Sequence, residues 1–410
     1  MDFTMDPSFE KLRQMVAWLG RDKLRPLGME ADALGHALPP EHPFFTEVLE
    51  LGLTGGFAGK MGKPRTDDDG RPRRTVRRAV VMAEEAAYWD RGMATCLPGP
   101  GLGGAPVMLM GNADQKARFL HPFKDRTRPR WAAFGMTEPG AGSDVASIRT
   151  RIREDGDELV LDGQKCFISN GARAAFTVVW GTVDPAQGRA GHRAVVVERD
   201  TPGFTVAGVE HKMGLHASET ATLLFESCRV PRENLLTSPQ DKAGEGGFKG
   251  AMKTFNMTRP MVAAMAVGIA RAAYDEASRF AREAFTGPSA WRRDRVADRL
   301  AHIRRKIEMS RLLAWKAGWQ ADHHQPNELA ASMAKAAAAP LALEAASLGL
   351  EILGETGLGS DALLEKLYRD VKALDIVEGT GQIQRIVIAR RLLGHTTNPK
   401  PLNSQGESRA

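Results

Sequence analysis

Apolar residues recur at intervals of three and four through the first 130 residues, as in FEKLRQMVAWLGRDKL and RRTVRRAVVMAEEAAYWDR, a spacing that lines one face of an α-helix. From about residue 157 to 230 the period shortens to two and β-branched residues take over. There DELVLDGQKCFISNG reads as a hairpin turned by Asp162-Gly163, followed by the strands AFTVVWGTV, RAVVVE, GFTVAGV and ETATLLFESCRV. After Pro231 the helical period returns and lasts to about Gly394. Val296, Leu300, Ile303 and Ile307, then Trp315 and Trp319, form a narrow apolar stripe opposite basic residues, the pattern of a bundle helix. The pattern predicts a mostly α chain with a central β domain: helices over 1–130, a compact β domain over 131–236, a helical bundle over 237–395, and a polar tail, 396–410, expected to be disordered.

Composition narrows the function classes. At 42% hydrophobic and 26% charged residues the chain is neither disordered nor fibrous, and its length suits two or three domains. No membrane span is expected, the N-terminus lacks the pattern of a secretion signal, and a cytoplasmic location follows as the expectation. Cys96, Cys166 and Cys228 are odd in number and widely spaced, which excludes a disulfide framework. The net charge of +6 is spread among interleaved acids and bases; it argues against nucleic-acid binding and leaves room for an anionic ligand.

Two segments stand out as candidate chemistry. In FGMTEPGAGSD, 134–144, small residues leave backbone N–H groups open, as a nest for phosphate or for the polar edge of a ring requires; a connecting turn is the plainer alternative. In VEGTGQIQR, 377–385, a lone carboxylate, Glu378, is followed by Gly379, Thr380 and Gly381 and then a helix start, where it could serve simply as a favourable helix-terminus charge.

Taken in register, MTEPGAGSD, KCFISNG (165–171), FNMTRPMVAA, EKLYRDVKALDI and VEGTGQIQR resemble the acyl-CoA dehydrogenase flavoprotein family, in its medium-chain-like branch, over nearly the whole chain. The resemblance implies an N-terminal helical domain, a middle β-barrel or sandwich and a C-terminal four-helix bundle. It implies FAD as cofactor, an acyl-CoA substrate, electron-transfer flavoprotein or a similar acceptor, and a tetramer. Glu378 would be the base that removes the α-proton of the thioester. Burial would raise its pKa and its backbone N–H would hydrogen-bond the thioester oxygen. Gly379 would leave space for the thioester, while Thr380 and Gln382 would face the flavin. Phe134, Met136, Thr137, Gly142 and Ser143 would contact the flavin's pyrimidine and pyrophosphate, with Ser143 also near substrate. Phe167 would pack on the ring system with Ile168 beside it, and Ser169 would lie near N5; tryptophan and threonine are usual at 167 and 169. Asn256 and Arg259 would border the thioester and its pantetheine arm. Thr258 occupies the alternative base position of one subgroup and cannot serve.

Departures from the family pattern carry their own expectations. A neighbouring subunit's flavin would be gripped by Arg282 and Phe285, but the loop after them is short, Asp294 stands in place of a glutamine, and Glu351 and Glu355 occur in the third motif. Acids facing a diphosphate would weaken binding, so a two-plus-two heterotetramer with a related subunit is expected, with a self-sufficient homo-oligomer as the alternative. The small residues of TCLPGPGLGGAPV, 95–107, and Val377 in place of a tyrosine suggest a wide acyl cavity and a bulky, branched or cyclic acyl group, as in fatty-acid or sterol side-chain catabolism. An acyl-CoA oxidase, a dehydrogenase of carrier-protein-bound acyl groups, and a mainly structural subunit of a heteromer are the alternatives. Asp322, His323 and His324 lack a metal-ligand spacing and are expected to be solvated; no metal site is expected. Arg292, Arg293 and Arg295 with Arg304, Arg305 and Lys306 read as a wet helix face, and Asp67, Asp68 and Asp69 as a surface turn.

Overall fold

The computed structural model describes residues 7–53, 75–237, 247–284, 290–359 and 361–394. Asp67, Asp68, Asp69, Phe285, Thr286, Gly287, the side chains of Arg292 and Arg293, and the tail from 396 lie outside the described residues.

Among the described residues six α-helices precede the sheet: α1 (Pro7–Leu19), α2 (Arg25–Leu34), α3 (Pro43–Glu50), α4 (Thr75–Cys96), α5 (Gly101–Met110) and α6 (Ala113–Leu120). α4 is broken at Asp90, whose backbone is extended (φ −159°, ψ 119°). Its Oδ1 accepts from the Met93 N–H at 2.7 Å, so Asp90 caps a fresh helical segment that starts at Arg91. The N-terminus of α4 is capped from far along the chain. The carboxylate of Asp322 accepts from the N–H groups of Val76 (2.7 Å) and Arg77 (3.0 Å). Asp322 is therefore buried, against the expectation of solvation, because it satisfies donors the helix cannot. His323 stacks on Trp319 and His324 is exposed.

Seven strands follow: β1 (Trp131–Gly135), β2 (Arg151–Asp155), β3 (Glu158–Ser169), β4 (Ala174–Thr182), β5 (His192–Glu198), β6 (Phe204–Val209) and β7 (Thr220–Pro231). They form one curled sheet in the order β1-β4-β2-β3-β7-β6, with β5 on β4. The Asp162-Gly163 turn is corrected: the hairpin turns at Gly156 (φ 62°), and β3 runs on through 162 and 163. Asp-Gly there marks a bulge against β7, where Gly163 (φ 151°) lies so close to Thr150 that a Cβ would sit 2.7 Å from its Cα. A second bulge, between Lys165 and Ile168, places Phe167 at φ 59° and turns its ring out of the sheet, 65% exposed.

The bundle comprises α7 (Gly247–Ala284), α8 (Ala290–Asp322) and α9 (Glu328–Leu353), with α10 (Leu363–Asp370) and α11 (Gly381–Leu392) packed against it. Alanines of α7 (263, 264, 266, 270, 273) meet alanines of α9 (334, 338, 342, 345, 346), so the two axes approach closely; Leu300, Ile303 and Ile307 of α8 complete the core. Gly268 brings α7 onto α4, since a Cβ there would lie 2.3 Å from the Glu84 carbonyl oxygen. Among the described residues the stretch Glu328–Gly357 is long and apolar enough to cross a membrane by length and composition, but it is the core helix of the bundle, with half of its most apolar window buried there. All three cysteines are free and buried.

Candidate active site

The segment between α10 and α11 reverses direction through two successive residues of positive φ, Glu378 (56°) and Gly379 (92°). A side chain at 379 is excluded twice, by that conformation and because a Cβ would lie 2.7 Å from Gln384 Nε2. Thr380 then caps α11, its hydroxyl accepting from the Ile383 N–H at 3.4 Å. Three buried side chains hold the loop by its carbonyls. Arg259 Nε donates to Glu378 O at 3.1 Å, Gln384 Nε2 donates to Glu378 O (3.2 Å) and Gly379 O (3.0 Å), and Lys335 Nζ donates to Gly379 O and Asp375 O, both at 2.8 Å. Lys335 is fully buried, which pushes its ammonium down to about 8.

These clamps fix the backbone and leave the Glu378 carboxyl to a different partner. The side chain is half-buried and its Oε2 accepts from the Thr258 hydroxyl at 2.7 Å. Loss of water pushes the carboxyl up to about 7, against the opposing pull of Thr258, Arg259, Arg91 and Lys335. A carboxyl half ionised at neutral pH, aimed by a hydroxyl and not locked in a close ion pair, is suited to take a proton from carbon. Thr258 is thus the donor that orients the Glu378 carboxyl, a role missed when it was weighed only as a base itself.

α7 supplies the adjoining wall, and Pro260 explains its shape. Lacking an N–H, Pro260 leaves the Asn256 carbonyl without its helical partner, and Asn327 Nδ2 donates to it at 2.7 Å. The Asn256 side chain in turn accepts from Arg259 Nη1 at 3.0 Å. Arg259 is buried.

The other candidate segments meet at the end of β3, where the Cys166 N–H donates to the Thr137 carbonyl at 2.9 Å. Phe167 stands out of the sheet and Ser169 is half-buried beside it. Gly142 and Ser143 are exposed, and no atoms crowd Gly140 or Gly142. The loop is braced from beneath: Glu138 accepts from Lys165 Nζ (2.6 Å), the Thr150 hydroxyl (2.6 Å) and the N–H groups of Arg149 and Thr150. Not every candidate points outward. The side chains of Met136 and Ile168 are buried in the sheet cores, and Phe134 stacks on Trp180 with centroids 4.2 Å apart, so at 136 and 168 only the backbone can meet a ligand. Thr137 is half-buried and Gln382 is exposed. Arg282 is exposed 23 residues along α7 from Arg259, about 35 Å at the rise of a helix, and so cannot serve the same end of one bound ligand. Phe285 lies outside the described residues.

Comparison with known proteins agrees with the fold. Residues 133–228 match the acyl-CoA dehydrogenase middle domain and residues 245–393 the acyl-CoA dehydrogenase C-terminal domain, together more than half of the chain. The chain belongs to the acyl-CoA dehydrogenase family. Among its relatives is the mitochondrial short-chain specific acyl-CoA dehydrogenase of Mus musculus, 39% identical over 70% of this chain and 68% of that protein. Butyryl-CoA dehydrogenase from Megasphaera elsdenii superposes with a TM-score of 0.85 at 32% identity, covering 96% of this chain and all of the other. The glutaryl-coenzyme A dehydrogenase glutaryl-CoA complex gives 0.85 at 28% identity over both full chains. In this acyl-CoA dehydrogenase, the sequence had also shown a lone lysine in the apolar run ELAASMAKAAAAP. Lys335 was passed over there, though a single cation in so apolar a helix is a signal for a buried carbonyl clamp.

Proposed function

We propose that this acyl-CoA dehydrogenase removes the α-proton of an acyl-CoA thioester with Glu378 and leaves a double bond between Cα and Cβ. The observation that carries the reading is the Glu378 carboxyl itself, desolvated, raised to about 7 and oriented by Thr258 on a loop clamped by its carbonyls. The outward Phe167 ring beside a loop with open backbone fits an isoalloxazine and its polar edge, and supports Phe167, Ser169, Thr137, Gly142 and Ser143 as the residues that would hold FAD. When bound, FAD supplies the acceptor for the hydride that leaves Cβ. Glu378 takes the α-proton into its carboxyl, Thr258 steadies the ionised form beforehand, and Asn256 and Arg259 form the wall beside the reacting carbons. Electron-transfer flavoprotein as the later acceptor, a cytoplasmic location and assembly with a related subunit belong to the same proposal.

Acyl size is its finer part. Gly103 and Gly104 add nothing to a wide cavity: a Cβ on Gly103 would lie 2.6 Å from the Ala133 carbonyl oxygen and one on Gly104 2.5 Å from Pro100, so both serve the packing of α5. Val377, partly exposed beside the base, supports room for a branched or cyclic group, whereas the names of the relatives above speak for a short one.

The test is anaerobic bleaching of the bound flavin by a panel of linear, branched and cyclic acyl-CoAs. Glu378→Gln is expected to slow bleaching by roughly 10²–10⁴-fold with flavin content unchanged. Bleaching at the unaltered rate would overturn the assignment.

A further inference from the structure

Of the two acids in the 134–144 loop, Asp144 is exposed and Glu138 is buried. The Glu138 carboxylate joins the loop to both bulges of β3. At the first bulge its partner is Thr150, whose N–H and hydroxyl donate to Oε1 and whose Cα leaves Gly163 no room for a side chain. At the second its partner is Lys165, which begins the bulge that turns Phe167 outward. Lys165 is fully buried, and its ammonium donates to Glu138 Oε1 at 2.6 Å and to the Met136 carbonyl oxygen at 3.0 Å. The next residue of β3 takes the next carbonyl of the loop, since the Cys166 N–H donates to Thr137 O. Two consecutive loop carbonyls are thus turned toward β3 just ahead of Phe167. In a trans peptide the N–H points away from the C=O, so the bond from Lys165 to Met136 O turns the Thr137 N–H away from Lys165.

Stability alone does not account for the charge. Burying an ammonium and a carboxylate costs about as much as their attraction returns, and apolar residues of similar size often pack as well. Without Lys165, Glu138 still has the N–H groups of Arg149 and Thr150 and the Thr150 hydroxyl. What an apolar side chain at 165 could not supply is the bond to Met136 O. We propose that Lys165 is a positioning residue for the flavin: it holds the Met136–Thr137 peptide so that the Thr137 N–H is presented to the polar edge of a ring that packs on Phe167, with Glu138 keeping the ammonium in place. The proposal rests on the assignment of Thr137 and Phe167 to FAD and adds the residue that sets one against the other. Lys165 itself touches neither flavin nor substrate.

The main variant removes both charges at once, Lys165→Met with Glu138→Gln, so that no unpaired charge is left inside. FAD affinity of the full-length, flavin-free protein is read from flavin fluorescence, the two-electron midpoint potential from the flavin-loaded protein, and folding from thermal melting. The double variant is expected to melt close to the unaltered protein and to bind oxidised FAD roughly tenfold more weakly, the loss of one well-placed hydrogen bond. A hydrogen bond to the ring's edge is stronger when the reduced ring carries added charge, so reduced flavin should lose about a further tenfold. That moves the potential about 30 mV more negative. Glu138→Gln alone keeps the bond from Lys165 to Met136 O and should retain most of the affinity. Unaltered binding in the double variant overturns the proposal. Weaker binding with an unmoved potential overturns it too, and assigns the pair to structure. If the double variant fails to fold, the unaltered protein decides, with FAD analogues in which sulfur, a weak acceptor, replaces one or the other pyrimidine carbonyl oxygen. At least one of the two is expected to bind roughly tenfold more weakly than FAD, and equal binding of all three overturns the proposal. No FAD binding by the unaltered protein strikes the flavin assignment itself, whereas normal binding with insensitive variants strikes only the role of Lys165.

Discussion

Thr258 and Glu378 share one hydrogen bond, and its direction fixes what each substitution does. The hydroxyl stabilises the ionised carboxyl, so Thr258→Val should raise the Glu378 pKa above 7 and move the acidic limb of the kcat/KM profile to higher pH by about one unit, the worth of a hydrogen bond to a charged group. The same carboxyl also sets a pH dependence of stability. Its folded value, about 7, lies above its ordinary 4.5, so the folded state holds the proton more tightly than the unfolded chain. Below 4.5 the group is neutral in both states and contributes no difference; as pH rises from 4.5 to 7 stability is lost, and above 7 the loss is complete. Glu378→Gln removes that loss. In the substrate-free protein it should raise the melting temperature at pH 8, by a stabilisation of up to about 3 kcal/mol, and leave it unchanged at pH 4. An equal shift at both pH values would contradict a desolvated, raised carboxyl.

Elements were legible wherever periodicity alone decides them. The stripe of Leu300, Ile303 and Ile307 points into the bundle, and the β-branched run AFTVVWGTV forms β4, buried almost throughout and paired with β1 and β5. Reading failed where a glycine had two physical explanations. Asp162-Gly163 looked like a turn and is a bulge, because β7 pairs with β3 on both sides of it. The glycines of α5 looked like space for a ligand, yet Gly103 lets the helix settle on the β1 backbone. The contrast can be measured. Gly103→Val should lower stability by several kcal/mol, since its Cβ meets the Ala133 backbone, which cannot yield. Gly140→Ala, with open space around it, should change the melting temperature by an amount equivalent to less than about 0.5 kcal/mol. β1 itself, WAAFG, escaped the sequence reading because it is short and buried almost throughout, with no alternation to mark it.

At the scale of the whole molecule, motifs in register single out Glu378 as a candidate, whereas the clamps around it could not be read that way, since Arg259, Lys335 and Gln384 come together only through the packing of α7, α9 and α11. Assembly beyond one subunit is open to a direct measurement. The acids that motivated a mixed tetramer are partly answered within this chain, because Glu351 is paired with Arg299 at 2.5 Å and held below the usual carboxylate range. Expressed alone, the chain should still carry substoichiometric flavin, which co-expression with a related subunit restores; full, stable occupancy in a homo-oligomer would remove the need for a second chain. The clamping of the Glu378 loop also bears on the order in which the site is completed during synthesis. The guanidinium and ammonium that seat the loop are translated before the loop itself, but the third holder, Gln384, follows it on α11. On the proposed role of Glu378, a growing chain lacks the last holder of the reactive carboxyl's loop until that helix has emerged and docked, and unfinished enzyme would be chemically silent.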